Sequence, residues 1–321
     1  MSGQMRMKFS GRLSFRVRTI LMLLWSGFVA AFRRLIRGPL LPSWGLQFEA
    51  STLHQKAVYR AVYRLPNIED GRELIDALVV QVPSLEKVKI EAVASPVNGA
   101  WYRPNSPRGE GVILYLHGAY AFYAAAEKGF IADITLETGL PVFALDYRLT
   151  PKNPFPAQLE DAIAAYDWLV DLGYQSRDII ALGTSAGGNL CLSLLLKIRD
   201  SRRPSPKLAV CLSPWTDISN SGESIDSNEQ FDILDRSMIK PGAKWFLGDG
   251  SPKDPQISPI HADLRDLPPM YLQAGGREIF IDMIQAFYER AKSQGARIEL
   301  DVWESMNHVF QVYGELVPEA V

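Results

Sequence analysis

The residues best suited to chemistry stand in the pentapeptide Gly183-Thr184-Ser185-Ala186-Gly187. Residues 179–182 form a short apolar run typical of a strand buried on both faces, and residues 189–198 form an apolar run of helical length. A serine on so sharp a strand-to-helix turn is strained and exposes its hydroxyl, while the flanking glycines leave space where a Cβ would clash. Free amides at the start of the helix favour developing negative charge. The pattern predicts that Ser185 is a nucleophile.

A serine hydroxyl needs a base near neutral pH, usually an imidazole oriented by a carboxylate. His308 is the candidate, because it directly follows the last predicted strand, residues 297–303. The other three histidines have local explanations. We interpret His54 as part of a surface or lid helix, His117 as a structural hydrogen-bonding residue at a strand end, and His261 as exposed in a proline-rich loop.

Two carboxylates compete for the role of orienting acid. Glu278 lies at the mouth of the preceding predicted strand, residues 270–273, and Asp282 lies one turn into the helix that follows. Because the orienting carboxylate of such a site follows a strand, position favours Glu278 over Asp282.

The elements that must position these side chains alternate along the chain. Strands are predicted at residues 88–94, 99–102, 111–116, 142–146, 179–182, 208–212, 270–273 and 297–303. Helices are predicted at residues 51–63, 74–80, 156–171, 189–198 and 279–293, and again after residue 308. This alternation predicts the α/β class, with a mainly parallel sheet and helices on both faces. A polar segment at residues 216–260 interrupts it.

Length and composition narrow the function classes. The chain has 321 residues, of which 47% are hydrophobic and 22% charged, and its net charge is −2. That suffices for one large domain or two small ones, and the charge does not point to nucleic acid or a strongly charged substrate. Cys191 and Cys211 fall in apolar runs and are predicted to be core residues, and their spacing indicates neither a metal site nor a disulfide framework. We expect no cofactor, no metal and no nucleic-acid partner.

The amino-terminal segment, residues 1–42, differs from the rest. An uncharged run at residues 19–32 is flanked by basic residues on both sides, namely Arg6, Lys8, Arg12, Arg16, Arg18, Arg33, Arg34 and Arg37. The run is shorter than the roughly 20 apolar residues that span a bilayer. A helix on an anionic membrane surface, an amphipathic lid helix and a secretory signal remain open, although residues 30–32 make a poor cleavage site. We expect a cytoplasmic protein. If the helix lies on an anionic membrane surface, residues 6–37 would attach the protein peripherally to that membrane.

Taken together, the motifs resemble the hormone-sensitive-lipase-like family of α/β-hydrolase esterases, in particular its members with a Gly-Thr-Ser-Ala-Gly elbow. The matching stretches lie between residues 44 and 311 and include residues 115–118, 146–157, 159–162, 183–190, 258–259, 267–269 and 302–310. The resemblance implies an α/β-hydrolase fold with a helical lid and a carboxylic ester hydrolase. It makes Ser185 the nucleophile and His308 the base. Glu278 falls where most members have an aspartate, and Asp282 matches a second acid.

One stretch departs from the family pattern. The family has a His-Gly-Gly-Gly tract, whereas this chain has His117-Gly118-Ala119-Tyr120 and a loop about two residues shorter. Glycines let the backbone turn its amides toward an oxyanion, a geometry that side chains restrict. The oxyanion hole is predicted to use the amides of Gly118, Ala119 and Ala186, and losing one donor typically costs roughly 10²–10³ in turnover.

The sequence thus predicts a Ser-His-Glu esterase acting through an acyl-enzyme on a small or short-acyl ester. A lactone or amide hydrolase with the same triad and a catalytically weakened, ligand-binding relative remain alternatives. The hydrolase domain is predicted at residues 43–321, with a lid from residues 43–82 and 216–250. Pocket walls are predicted at Phe122, Tyr123 and Trp215. The oligomeric state stays open.

Overall fold

The computed structural model describes residues 6–122 and 127–317 and is built around an eight-stranded sheet. The described strands are β1 (Arg6–Phe9), β2 (Leu78–Gln81), β3 (Val88–Val93), β4 (Gly99–Pro104), β5 (Val112–Leu116), β6 (Val142–Leu145), β7 (Ile179–Thr184), β8 (Leu208–Leu212), β9 (Met270–Gly275) and β10 (Ile298–Trp303). Their order across the sheet is β10-β9-β8-β7-β5-β6-β4-β3. Strands β5 to β10 run parallel, while β4 is antiparallel to β6 and to β3.

Helices cover both faces of this sheet. The described α-helices are α1 (Leu13–Arg37), α2 (Leu46–Val62), α3 (Ile68–Ile75), α4 (Lys128–Thr138), α5 (Ala157–Asp171), α6 (Ala186–Asp200), α7 (Ser224–Ser227), α8 (Arg236–Leu247) and α9 (Ile281–Ser293). Helix α4 shares a hydrophobic cluster with one face, and α5, α6 and α9 share the larger cluster on the other. The predicted α/β class, with its mostly parallel sheet between layers of helices, is confirmed.

The central strands are apolar at every position because both of their faces are buried. In β5, Val112, Leu114 and Leu116 enter the larger cluster, whereas Ile113 and Tyr115 enter the other. All five side chains are buried. Burial on two faces removes the polar alternation of a half-exposed strand, and it explains why these strands were visible as continuous apolar runs.

Two predictions of secondary structure were wrong. The helix expected at residues 74–80 is instead the end of α3 followed by β2, which pairs antiparallel with β1. Its Leu-Val-Val run suits a strand, but the partner strand lies about seventy residues away, so local pattern could not reveal the pairing. The helix expected after residue 308 is a 3₁₀ turn, Phe310–Leu316, rather than an α-helix. Helices α4 and α8 were not predicted.

The segments predicted to form a lid contact each other. Arg60 of α2 pairs with Glu229 at 2.9 Å and with Asp235, which caps α8. Helix α2 also packs against α1 and α3. The boundary predicted at residue 42 falls in the turn between α1 and α2, and the division into a lid and a hydrolase domain stays a prediction.

Candidate active site

Ser185 lies on the turn between β7 and α6 in a strained backbone conformation, with φ 52° and ψ −114°. A Cβ added to Gly183 would lie 2.2 Å from the Gly187 carbonyl oxygen, and one added to Gly187 would lie 1.9 Å from that of Leu116. Both distances are far below van der Waals contact, so only glycine fits on either side of the serine. The turn leaves the Ser185 side chain partly exposed, as a nucleophile requires.

His308 reaches this serine from the loop after β10. Its Nε2 lies 2.8 Å from Ser185 Oγ, within hydrogen-bond distance. The ring is buried, and the Phe280 ring packs against it edge to face at 5.1 Å between centroids. The structure therefore brings together a hydroxyl and an imidazole that are 123 residues apart in the sequence.

Glu278 faces the other imidazole nitrogen. Its Oε2 lies 3.8 Å from His308 Nδ1, which is an ion-pair distance but too long for a hydrogen bond. Within residues 6–122 and 127–317, Nδ1 has no hydrogen-bond partner. The competing acid is engaged elsewhere, because Asp282 accepts a 2.8 Å hydrogen bond from the Ser224 amide. Of the two predicted acids, Glu278 is the one beside the imidazole.

The protonation of His308 is set by opposing effects. Burial lowers the pKa of His308, but the nearby carboxylates raise it by more than burial lowers it, Glu278 foremost and then Asp232 and Glu127. The pKa therefore lies above the ordinary 6.5. An imidazole with this pKa holds an abstracted proton more firmly than an isolated one does.

Two buried residues that the sequence analysis missed hold this pair in place. Ser213, just after β8, donates to Glu278 Oε2 at 2.6 Å and accepts from the Val309 amide at 3.0 Å. Asp232 accepts from the amides of Ile279 and His308, at 2.6 Å and 3.2 Å. Burial raises the pKa of Asp232 to about 6. Each side chain thus ties the loop carrying the acid to the loop carrying the base.

A sequence signal existed for only one of them. Ser213 directly follows a parallel strand, and side chains at carboxyl ends of parallel strands gather at one edge of the sheet. Asp232 lies in the polar segment between β8 and α8, where neither a pattern nor a neighbouring strand marks it. Its position is decided by tertiary contacts alone.

The predicted oxyanion loop differs in detail from expectation. The Gly118 amide donates to the Glu127 carboxylate at 3.1 Å, so it is not directed toward the serine, which corrects its assignment as an oxyanion donor in this conformation. Ala119 has φ 57°, the left-handed conformation that glycine adopts readily and alanine rarely. In the described part of the chain, the amides of Ala119 and Ala186 donate no hydrogen bond. These two amides remain the candidate donors.

Glu127 and Tyr120 anchor that loop to the rest of the protein. Glu127 accepts from Tyr115 Oη at 2.5 Å and from Thr184 Oγ1 at 3.2 Å, and burial raises its pKa. Tyr120 is buried, donates to Asn189 Oδ1 and stacks on Phe246 at 3.9 Å between ring centroids. Tyr120 is therefore a core residue, and its replacement by glycine would leave a cavity rather than restore a donor.

The remaining histidines have other surroundings. His117 is buried, its Nδ1 contacts the Gly118 carbonyl oxygen at 2.8 Å, and burial lowers its pKa to about 4. His261 is exposed, as expected, whereas His54 is buried in α2 rather than at the surface. Within the described ranges, no group of three His, Cys, Asp or Glu side chains is arranged to hold a metal ion.

Two of the aromatic residues of this region, Trp215 and Phe280, adjoin the serine and the histidine. Trp215 donates its amide to the Ser185 carbonyl oxygen at 3.1 Å and stacks on Phe280 at 5.4 Å between centroids. Phe122 is buried in a cluster with α2 and α3. Tyr123, the third residue predicted to line a pocket, lies outside the described residues.

Comparisons with known proteins agree with one another. A family model described as alpha/beta hydrolase fold matches residues 113–312. The chain is 35% identical over 222 residues to the acetyl-hydrolase of Streptomyces hygroscopicus, across 68% of this chain and 74% of that protein. It is 29% identical over 283 residues to an esterase of Acinetobacter venetianus, across 86% and 92%. A solved esterase structure from the bacterial hormone-sensitive lipase family shares 30% identity and a TM-score of 0.72, covering 97% of this chain and 95% of that one.

Proposed function

Because the chain belongs to the alpha/beta hydrolase fold family, within which it is a hormone-sensitive-lipase-like esterase, we propose that Ser185, His308 and Glu278 form its catalytic triad. The protein is a carboxylesterase-type serine hydrolase, as its esterase and acetyl-hydrolase relatives support. The observation that carries the triad is the 2.8 Å contact between His308 Nε2 and Ser185 Oγ.

The first half of the proposed reaction forms an acyl-enzyme. Ser185 Oγ attacks the ester carbonyl carbon while His308 Nε2 takes the hydroxyl proton. Glu278, 3.8 Å from Nδ1, orients the imidazole and offsets the positive charge that it acquires. The amides of Ala119 and Ala186 donate to the oxyanion of the tetrahedral intermediate.

The second half releases the products. The imidazolium of His308 returns its proton to the leaving alkoxide, which departs as an alcohol, and the acyl group stays on Ser185 Oγ. A water molecule, deprotonated by His308, then attacks the acyl carbonyl, and Ser185 recovers its proton as the carboxylic acid leaves. One ester and one water thereby become one alcohol and one acid.

The substrate that we propose is a small or short-acyl ester. Its support is the name of the acetyl-hydrolase relative and the bulk of Trp215 and Phe280, which are buried beside Ser185 and His308 and restrict the space for an acyl chain. A lactone offers the same acyl bond to the same triad, so a panel of esters and lactones with matched acyl length would rank the two substrate classes.

A catalytically weakened, ligand-binding relative is the alternative that the oxyanion loop favours. With the Gly118 amide bound to Glu127, the site has one donor fewer, a loss that costs roughly 10²–10³ in turnover. The amides of Ala119 and Ala186 support residual stabilisation of the oxyanion, so we propose an active enzyme. Labelling by an organophosphonate without turnover of any ester would favour the weakened relative instead.

The test compares Ser185→Ala with Ser293→Ala, an exposed serine at the end of α9. Wild-type protein and the Ser293→Ala variant should hydrolyse a short-chain aryl ester and react with an organophosphonate. Ser185→Ala should lose both signals, because removing such a nucleophile costs roughly 10⁶ in turnover. Retention of more than a few per cent of the rate by Ser185→Ala would contradict the proposal.

A further inference from the structure

Helix α1 presents its apolar side to solvent, the reverse of an ordinary surface helix. Between residues 13 and 36, every exposed residue except one serine is apolar. The exposed large side chains follow a helical repeat and comprise Leu13, Val17, Ile20, Leu21, Leu24, Trp25, Phe28, Phe32, Leu35 and Ile36. Trp25 and Leu24 are 65% and 66% exposed, and Leu35 is 84% exposed. We call these ten residues the apolar stripe.

The opposite side of α1 attaches the helix to the protein. Its buried residues are Phe15, Thr19, Ser26 and Ala30, a smaller and more polar set than the stripe. That side packs on α2, and Arg34 donates to Glu49 of α2 at 2.9 Å and to the Trp44 carbonyl oxygen at 2.8 Å. Packing on the protein therefore does not explain the stripe, since a helix held by this side alone would carry polar residues outside.

The chain segment that carries the stripe has charges of one sign, and of these Arg12 is paired with Asp70 and Glu73 of α3. The first 48 residues contain eight basic and no acidic residues, so the rest of the chain carries all 36 acidic residues and 26 of the 34 basic ones. Arg6 and Lys8 of β1 and Arg37 at the end of α1 are exposed. An apolar stripe bordered by cations complements a surface that is apolar inside and anionic outside.

We propose that α1 docks this protein on an anionic phospholipid bilayer, lying in the plane of the interface with the apolar stripe among the acyl chains and the basic residues at the lipid phosphates. A second copy of the chain is a poorer occupant, because pairing two stripes would bring basic residues together at the ends of both helices. Phe122 belongs to the buried cluster under α1, and Ala119 packs against that cluster, so the docked helix and the predicted oxyanion loop pack on the same group of side chains.

Length alone would also allow α1 to cross a bilayer. With 25 residues it is long and apolar enough, because the helix extends beyond the uncharged run on both sides, which corrects the estimate made from that run. A crossing helix would have to leave α2 and abandon the partner of Glu49, whose side chain is fully buried. The packing on α2 therefore favours a helix that lies on the membrane.

The first test is flotation with vesicles of phosphatidylcholine alone or mixed with phosphatidylglycerol. Full-length protein should float with the mixed vesicles and less with neutral ones, and added salt should weaken its binding. Leu24→Glu/Phe28→Glu should lower the partition coefficient at least about tenfold, since each substitution replaces an apolar side chain placed among the acyl chains by a carboxylate. The control, Val170→Glu/Leu172→Glu, replaces exposed apolar residues at the end of α5 and should float like wild type.

The second test measures depth through Trp25 fluorescence. Mixed vesicles should shift the emission to the blue, and lipids brominated near the headgroup should quench it more than lipids brominated near the chain ends. Trp25→Phe, which leaves the other six tryptophans in place, should lose the vesicle-dependent signal and still float.

Three results would overturn the proposal. One is the absence of flotation on anionic vesicles at low salt, and a second is equal flotation by Leu24→Glu/Phe28→Glu. The third is strongest quenching from the chain ends, which would indicate a crossing helix. A wild-type dimer that Leu24→Glu/Phe28→Glu converts to a monomer, with no flotation by either, would assign the stripe to a second copy. Flotation and fluorescence quenching measure membrane binding without any ester substrate, so these outcomes do not depend on the proposed triad.

Discussion

Four residues of the candidate active site have a positive φ, a backbone conformation that L-amino acids rarely adopt. Ala119, Ser185, Ser213 and Val309 have φ values of 57°, 52°, 49° and 51°. Each costs roughly 1–2 kcal/mol relative to the ordinary region. Such strain persists only where surrounding contacts over-determine it, and it concentrates where a side chain or amide must be aimed. Here the four residues carry or adjoin the hydroxyls, the imidazole and the amides of the site.

Ala119→Gly tests whether that strain is the obstacle to catalysis. Glycine adopts φ 57° without steric cost but loses more chain entropy on folding, so we expect the free energy of unfolding to rise by no more than about 1 kcal/mol. Hydrolysis should stay within about threefold of wild type, because alanine already places the amide. Urea unfolding and aryl-ester kinetics measure both.

The control for this prediction is Ala31→Gly in α1, where alanine is exposed and helical, and the same change should lower the free energy of unfolding by about 1 kcal/mol. A gain in turnover of a hundredfold or more for Ala119→Gly would instead mean that alanine misplaces the donor.

The pKa of His308 predicts the pH dependence of hydrolysis. The base must be neutral to accept a proton, so kcat/KM should fall as the pH drops through the pKa of His308, with a midpoint above 6.5. Glu278→Gln removes the foremost carboxylate that raises this pKa, so its midpoint should move to lower pH and its rate should fall roughly 10²–10⁴-fold. The measurement is a pH–rate profile with a reactive aryl ester.

Asp282→Asn is the matched control, since this acid lies on the same segment and bonds to Ser224 instead. It should keep the wild-type midpoint. If Asp282→Asn moved the midpoint and Glu278→Gln did not, the orienting acid would be Asp282.

Among the structural elements, the segment between β8 and α8 connects the loops that follow β9 and β10. Ser213 begins it, and Asp232 lies within it. Through these two side chains it binds the loops after β9 and β10, which carry Glu278 and His308. A substitution in this segment is therefore expected to change the position of the His308 imidazole.

Asp232→Asn should disturb that connection. The aspartate accepts amide hydrogen bonds at both oxygens, and an asparagine NH₂ would face one of those donors. We expect a loss of about 1–3 kcal/mol in the free energy of unfolding. We also expect kcat to fall about tenfold or more with little change in KM, because the imidazole rather than the substrate loses its support.

The comparison variant is Asp226→Asn, from the same segment. Asp226 is exposed and pairs with Arg236, so its loss should leave the free energy of unfolding nearly unchanged and kcat unaltered. Equal kinetic effects from both variants would show that Asp232 does not position the histidine.

Across the whole molecule, α2 connects the amino-terminal helix to the loop that carries His308. Its Glu49 accepts from Arg34 of α1, and its Thr52 accepts from Asn307, the neighbour of His308. Deleting residues 1–40 to test membrane binding would remove the cation that pairs with Glu49 and uncover the side of α2 that packs on α1. Point variants of the apolar stripe are the better test for that reason.

The Arg34–Glu49 pair yields a stability prediction. Arg34→Ala should lower the free energy of unfolding by about 3 kcal/mol, because it leaves a buried carboxylate unpaired. Adding Glu49→Gln should recover part of that loss by removing the charge. Arg236→Ala, which breaks the exposed pair with Asp226, should leave the free energy of unfolding nearly unchanged. The measurement is denaturant unfolding of the wild type, Arg34→Ala, Arg34→Ala/Glu49→Gln and Arg236→Ala. Equal losses of unfolding free energy in Arg34→Ala and Arg236→Ala would contradict the prediction.

The sequence by itself determined the features that are local or periodic. The elbow at Ser185 could be named because glycine spacing and strain act within five residues, and the sheet could be named because buried parallel strands are apolar throughout. Chain order and the family resemblance then marked His308 and Glu278, whose roles stay predictions.

Only the tertiary structure decided what depends on contacts between distant residues. It showed the pairing of β2 with β1, the carboxylate of Asp232 beneath two loops and the Gly118 amide turned toward Glu127. It also showed which side of α1 faces outward, since the pattern marks an apolar stripe but not its partner. A hydrogen bond or a packed face joins residues that the chain separates by tens or hundreds of positions, and no local preference encodes that geometry.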